Sequence, residues 1–473
     1  MDSHRVAIER ELARLMSRIW AAERSLDDMY RQASEYQDIL RASSTSPIAR
    51  LPVEVLNLIF KEAAASPLGA DAAQPKDDDV PQWSSPRPEL LLSHVSRHWR
   101  AVALSTPALW TTIRLYVNQS IDLLDLYFAR ACGLPLDIGF RQSFMCGVYP
   151  QVAYAAEYTR ISRSILTHIS VCRRLEIRTN IPIPDLLESL GRMQAPLLQE
   201  IDLHHPRNNE FELTFPSSSF PKLKHLEIGE MLHLSPRMYN NAVTSLILSG
   251  MPGFALPPQA FCDMLCGLPS LSHLACLDEA VDFSRLHPTK AINVPSLRSM
   301  LLKPGPDVSR FYLISLLEML VTPQLNILTL DFSKVTSSRE IQLLLRHLKR
   351  GAPHFLSVRH MILNSPFDAF DIASALVHAA PHIESLTLSR YSANSILTFL
   401  THDTRRDAFP KLQELSLDDP HFDWDVLLAF LRNRRNFGVP LHWLGCGGFR
   451  SRNETTLNGP FRKLLDACLD HDV

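Results

Sequence analysis

Apolar side chains along residues 5 to 42 alternate spacings of four and three: Ile8, Leu12, Leu15, Ile19, Ala22, Leu26, Met29, Ala33, Tyr36 and Leu40. This is the seam of a heptad-patterned helix flanked by Glu and Arg, and its two alanines and one tyrosine make a weak coiled coil. The seam can serve self-association through residues 5 to 42, a helix folding back, or an antiparallel partner. After the polar break "RASSTSP" at 41 to 47, "LPVEVLNLIFKEA" at 51 to 63 predicts another helix, with Pro52 in its first turn, where a missing N–H costs nothing. Its apolar residues cover an arc of about 200°, twice what docking on one core requires. Either both faces are buried within this chain, or one is kept for a partner protein.

Residues 66 to 89 are rich in Pro, Asp and Ser and predict a disordered insertion. "ELLLSHVSRHWRAVALST" then predicts a helix with Leu91, Val95, Trp99 and Val102 on one face. From Trp110 the period changes to two: "WTTIRLYV" alternates as a half-buried strand does. Beyond it the unit apolar-x-x-apolar-x-apolar recurs eleven times, beginning at residues 172, 198, 223, 243, 271, 297, 325, 358, 383, 412 and 441. Helical segments such as "PDLLESLGRM", "SSREIQLLLRHLK" and "WDVLLAFLRNR" lie between, the second opened by a capping box of Ser337 and Glu340. A strand and a helix about every 27 residues predict a leucine-rich solenoid, with a parallel sheet on one side and helices outside. The Asn or Cys of the standard repeat is present only as Asn180.

At 473 residues the chain exceeds one growing core, and several domains or a repeat array are expected. With 48 basic and 50 acidic residues it offers no overall field to draw in nucleic acid or an anionic membrane. The longest apolar run, "FYLISLLEMLV", is interrupted by Glu318 and falls short of a membrane span. The N-terminus lacks the apolar core of a signal peptide, and eight scattered cysteines suit a reducing interior, cytoplasmic, nuclear or both.

No catalytic or cofactor constellation stands out, and neither a metal site nor a cofactor is expected. Cys262 and Cys266 lack a second ligand pair, and His204, His205, His442 and Cys446 lie at repeat ends without a matching acid. Side chains alternate along a strand, so the residues between the repeat leucines face the concave side. They include Arg174, Glu176, Arg178, Asp202 and Glu227 early in the array and Glu414 and Asp418 near its end, candidates for binding a protein substrate. Ile247, Leu301, Ile327 and Ile362 are apolar where solvent is expected, as a binding strip or as a floor beneath folded-over segments.

"PIARLPVEVLNLIFKEA", "LLLSHVSRHWRAVAL" and "TPALWTTIRL", in that order, resemble the F-box domain found in large families of fungal proteins, with leucine-rich repeats behind it. The resemblance implies an α/β chain of three parts: a heptad-patterned helix and linker at 1–46, a small all-α F-box domain at 47–113, and the solenoid at 114–473. It implies a Skp-type adaptor, and through it a cullin-RING ubiquitin ligase, as partner. By motif position, adaptor contact falls to Leu51, Pro52, Val55, Leu56, Ile59 and Phe60, then to Val95, Trp99, Leu109 and Trp110. Val95 and Trp99 suit the domain's own core equally well, and Trp110 equally suits an anchor for the first repeat. The function so implied is that of a substrate-recognition subunit, not an enzyme. The alternatives are an F-box and leucine-rich scaffold that delivers nothing for ubiquitination, and a plain leucine-rich interaction protein.

Overall fold

The computed structural model describes residues 2–43, 48, 51–65, 87–115, 121–141, 151–179, 184–204, 212–213, 215–229, 233–234, 240–250, 255–283, 291–306, 308–309, 311–336, 338–350, 354–366, 370–389, 392–401, 408–418 and 423–446. The chain divides into two units, residues 1–110 and 111–473. The boundary expected after residue 113 moves upstream because Ile113 belongs to strand β1 (Thr112–Leu115), which pairs with β2 (Leu136–Arg141) of the second unit. Ser337 of the capping box, Asn180 and His205 lie outside the described residues.

The first unit holds helices α1 (Asp2–Ser43), α2 (Val53–Ala65), α3 (Pro88–Val95) and α4 (Arg97–Leu104), then a 3-10 turn at Pro107–Trp110. α1 runs unbroken because it contains neither Gly nor Pro. α2 starts where the Pro52 carbonyl accepts the N–H groups of Val55 and Leu56, both at 3.1 Å. Of the expected insertion, residues 66–86 lie outside the described residues, and Pro88 and Glu89 already form the first turn of α3. The single helix expected over 89 to 106 is two. Ser96 is extended, with φ −157° and ψ 168°, and its hydroxyl accepts the Trp99 N–H at 3.1 Å, capping α4.

Leu56, Phe60, Val102, Leu109 and Trp110 form the core of this unit. The Phe60 and Trp99 rings are 4.9 Å apart, the Trp110 indole donates to the Ala103 carbonyl at 2.9 Å, and the Asn57 amide meets the Thr106 hydroxyl at the end of α4.

The second unit continues with β3 (Cys172–Arg178), β4 (Glu200–His204), β5 (Glu212–Leu213), β6 (His225–Gly229), β7 (His233–Leu234), β8 (Ser245–Gly250), β9 (His273–Asp278), β10 (Ile292–Asn293), β11 (Ser299–Lys303), β12 (Leu320–Val321), β13 (Ile327–Asp331), β14 (His360–Asn364), β15 (Ser385–Ser389), β16 (Glu414–Leu417) and β17 (Trp443–Cys446). Between them lie α5 (Ile121–Ala131), α6 (Gln151–His168), α7 (Pro184–Arg192), α8 (Pro258–Cys266), α9 (Tyr312–Met319), α10 (Ser338–Leu348), α11 (Phe370–Ala379), α12 (Ser392–Thr401) and α13 (Trp424–Asn436). Among the described residues thirteen strands make one sheet in the order β1-β2-β3-β4-β6-β8-β9-β11-β13-β14-β15-β16-β17, while β5 pairs with β7 and β10 with β12. Every pairing is parallel, so each unit adds its strand at the same growing edge, a solenoid-like α/β arrangement. Each of the eleven recurring hexads runs into one of these strands. β2, α5 and α6 were not expected from the sequence pattern.

In-register pairing stacks like on like. Leu175, Ile201, Leu226, Leu246, Leu274 and Met300 follow one another across six strands, all buried. Each contributes roughly 1.5–3 kcal/mol by leaving water.

Near the C-terminal end, the buried Arg434 of α13 donates from Nε to the Val439 carbonyl at 3.0 Å, from Nη1 to Phe409 at 3.3 Å and from Nη2 to Leu412 at 2.8 Å. Burial pulls its guanidinium down to about 10. Phe409 sits at φ 49°, a left-handed conformation that a non-glycine residue holds only under constraint. Arg434→Met should therefore destabilise the last repeats by about 3 kcal/mol, since three carbonyls lose a charged donor. Hydrogen exchange should show faster exchange over β16 and α13, with β3 to β9 unchanged.

Candidate functional site

Parallel register aligns Glu176 of β3 with Asp202 of β4 and Glu227 of β6, three carboxylates on neighbouring strands of the polar face. Two residues on, it aligns Arg178, His204 and Gly229. Arg178 sits among all three acids: Nε is 3.2 Å from Glu176 Oε1, and Nη2 is 2.6 Å from Asp202 Oδ2 and 3.2 Å from Glu227 Oε1. Arg141 of β2 closes the far side with an ion pair to Glu176. The His204 ring lies over Gly229, where a Cβ would come within 2.0 Å of Nδ1. Only glycine on β6 leaves room for the imidazole.

His204 Nε2 donates to Glu227 Oε1 at 3.1 Å and lies 3.2 Å from Asp202 Oδ1, an electrostatic approach without good hydrogen-bond geometry. Burial works against the imidazolium, but Asp202 and Glu227 outweigh it and raise His204 to about 9. Burial likewise works against the Asp202 carboxylate, but the close approach of the His204 ring and the hydrogen bonds and charge of Arg178 hold it below the usual range. With His204 protonated, Arg141, Arg178 and His204 balance Glu176, Asp202 and Glu227.

The expectation that His204 lacks a matching acid therefore fails. The partner acids are Asp202, two residues back, and Glu227, one repeat on, brought together by strand register. Among the described residues these three form the one group spaced to hold a metal ion. The donor set does not suit one as it stands: a divalent ion would have to displace both the imidazolium proton and the Arg178 guanidinium from Asp202. In this ion network each of the three carboxylates is engaged by at least one cation.

The rim of the network is more exposed. Arg174 and Glu200 pair at 3.4 Å with both side chains about half exposed, and with His225 and Ile247 they border a shallow cleft floored by Asp202 and Glu227. Of the predicted substrate residues, Glu176 and Asp202 are buried ion-pair members, Arg178 and Glu227 are partly exposed, and Arg174 is about half exposed. Glu414 and Asp418 lie at β16, seven strands beyond β6 and roughly 34 Å away, and do not join this site. Of the odd apolar residues, Ile247 and Leu301 are joined through Ala275 into one apolar row, which Thr329 separates from Ile362. Ile327 lies two positions before Thr329 on β13.

In the first unit the predicted adaptor residues separate. Pro52, Val55, Ile59 and Val95 are exposed and Leu51 half-exposed, with Val53, Leu58 and Leu91 adding to the apolar surface. Leu56, Phe60, Leu109 and Trp110 are at most 4% exposed and lie in the core of this unit. Trp99 is partly buried against Phe60. This resolves the wide apolar arc of α2: Leu56 and Phe60 face inward, while Val55, Ile59 and Leu58, the last at 65% exposure, face water.

Cys132, Cys172, Cys262, Cys266 and Cys276 are free, and burial pushes Cys172 and Cys276 up to about 12. Among the described residues no helix is long and apolar enough to cross a membrane. No protein-family model matches the chain, and no curated protein matches it.

His204 is raised in the folded state, so its contribution is complete below the unfolded value of 6.5 and disappears as pH rises through about 9. The shift corresponds to about 3 kcal/mol. Chemical denaturation across this window should show stability falling with pH in the wild type, and His204→Gln should flatten most of that slope. The Cys172 and Cys276 thiols titrate above the window.

Proposed function

We propose that this chain is the substrate-recognition subunit of a Skp-cullin-F-box ubiquitin ligase. The first unit docks the adaptor, and the repeat unit, a leucine-rich solenoid in this reading, holds the protein to be ubiquitinated. The observation that carries this is the outward half of α2, where the motif residues Leu51, Pro52, Val55 and Ile59 leave an apolar surface uncovered while Leu56 and Phe60 satisfy the core. Three short helices cannot bury both faces, and an exposed patch of this kind marks a binding site. Substrate contact falls to the cleft rimmed by Arg174, Glu200 and His225 and to the apolar row beginning at Ile247. The work is positioning, with chemistry supplied by the ligase's other subunits.

Val55→Asp with Ile59→Asp should abolish co-purification of adaptor and cullin with the whole chain, at least 100-fold by quantitative mass spectrometry, with the circular dichroism unchanged. Trp110→Ala should instead lower the thermal stability of the first unit, because it empties a buried site and removes the indole hydrogen bond to the Ala103 carbonyl. Wild-type chain that captures adaptor without cullin would favour a scaffold. Capture of neither would remove the F-box reading.

A further inference from the structure

α1 is 42 residues long, and its described seam is in water: Leu12 is 59% exposed, Tyr36 65%, and Leu15, Ile19, Leu26 and Met29 are exposed as well. Its intrahelical ion pairs, Arg14 with Glu11 and Arg31 with Asp28, are exposed and offset little of that cost. A single helix with an uncovered apolar stripe calls for a second surface. We propose that the surface is α1 of a second copy, and that the two helices run antiparallel.

The choice rests on size along the seam. Positions 12, 19, 26 and 33 are a positions, and 15, 22, 29 and 36 are d positions. A parallel pair sets each residue against itself, so Ala22 meets Ala22, Ala33 meets Ala33 and Tyr36 meets Tyr36. Two layers are then hollow and one is crowded. An antiparallel pair sets a against d of the copy. In the register of greatest overlap Ala22 meets Leu26, Ala33 meets Leu15, Ile19 meets Met29 and Leu12 meets Tyr36. Every small residue faces a large one. The flank widens the contact, because Met16 falls against Tyr30 of the copy, and both are exposed.

Charge points the other way, and weakly. A parallel pair would place Arg18 beside Glu23 of the copy, whereas the antiparallel register sets Glu23 near its own copy. An exposed ion pair is worth several times less than the packing of a buried leucine, so size decides.

Light scattering on the full chain should give the mass of two copies, and Leu26→Glu should raise the dissociation constant at least tenfold with the sheet unit's thermal transition unchanged. Orientation is read by oxidation of introduced cysteines against the unsubstituted chain. In the antiparallel pair residue 15 of one copy lies opposite 33 of the other, while 15 and its own copy are eighteen residues apart along the axis, about 27 Å. Leu15→Cys and Ala33→Cys should each give no cross-linked dimer alone, and the double variant should give one. A monomeric mass, an assembly larger than two, or a dimer cross-linked by either single variant would overturn the proposal.

Discussion

The second unit depends on one constraint, the in-register parallel pairing of short strands. When each strand lies beside the one from the preceding repeat with no slip, a residue's neighbours are the residues in the same position one repeat away. The apolar ladder through Leu175 and Ile201 and the ion network through Glu176 and Asp202 are both consequences of it. A slip of one residue between β3 and β4 would bury Asp202 among leucines and expose Ile201, so each strand's hydrophobic alternation enforces the register that builds the site.

That constraint also explains what could be read in the chain. The strand positions were legible because each hexad carries three apolar residues at a fixed spacing. β2 was not, although Leu136, Ile138 and Phe140 alternate, because it lacks the leading leucine of the hexad. The acids of the site were legible singly, as polar residues between leucines. Their convergence on Arg178, and the role of Gly229 beneath His204, required laying one repeat beside the next. Arg141 was out of reach because its strand had not been recognised.

In the first unit the limit was of another kind. Leu56 and Phe60 are no more apolar than Val55 and Ile59, and all four lie on one short helix. Which pair turns inward is decided by what lies across from them: Trp99 against Phe60, and Thr106 beside Asn57. Those contacts join residues 39 and 49 positions apart, across a segment whose composition says little about where the chain returns. The sequence pattern showed that α2 has two apolar faces, and only tertiary packing told them apart.

The ion network on β2, β3, β4 and β6 has equal numbers of positive and negative groups within a few ångströms. Seen from beyond a Debye length, about 8 Å at physiological salt, those charges cancel. A partner approaching that part of the sheet is therefore neither drawn in nor turned away until it is nearly in contact. Its arrival would be governed by diffusion and its selection by fit along the rim, with little change in encounter rate as ionic strength varies.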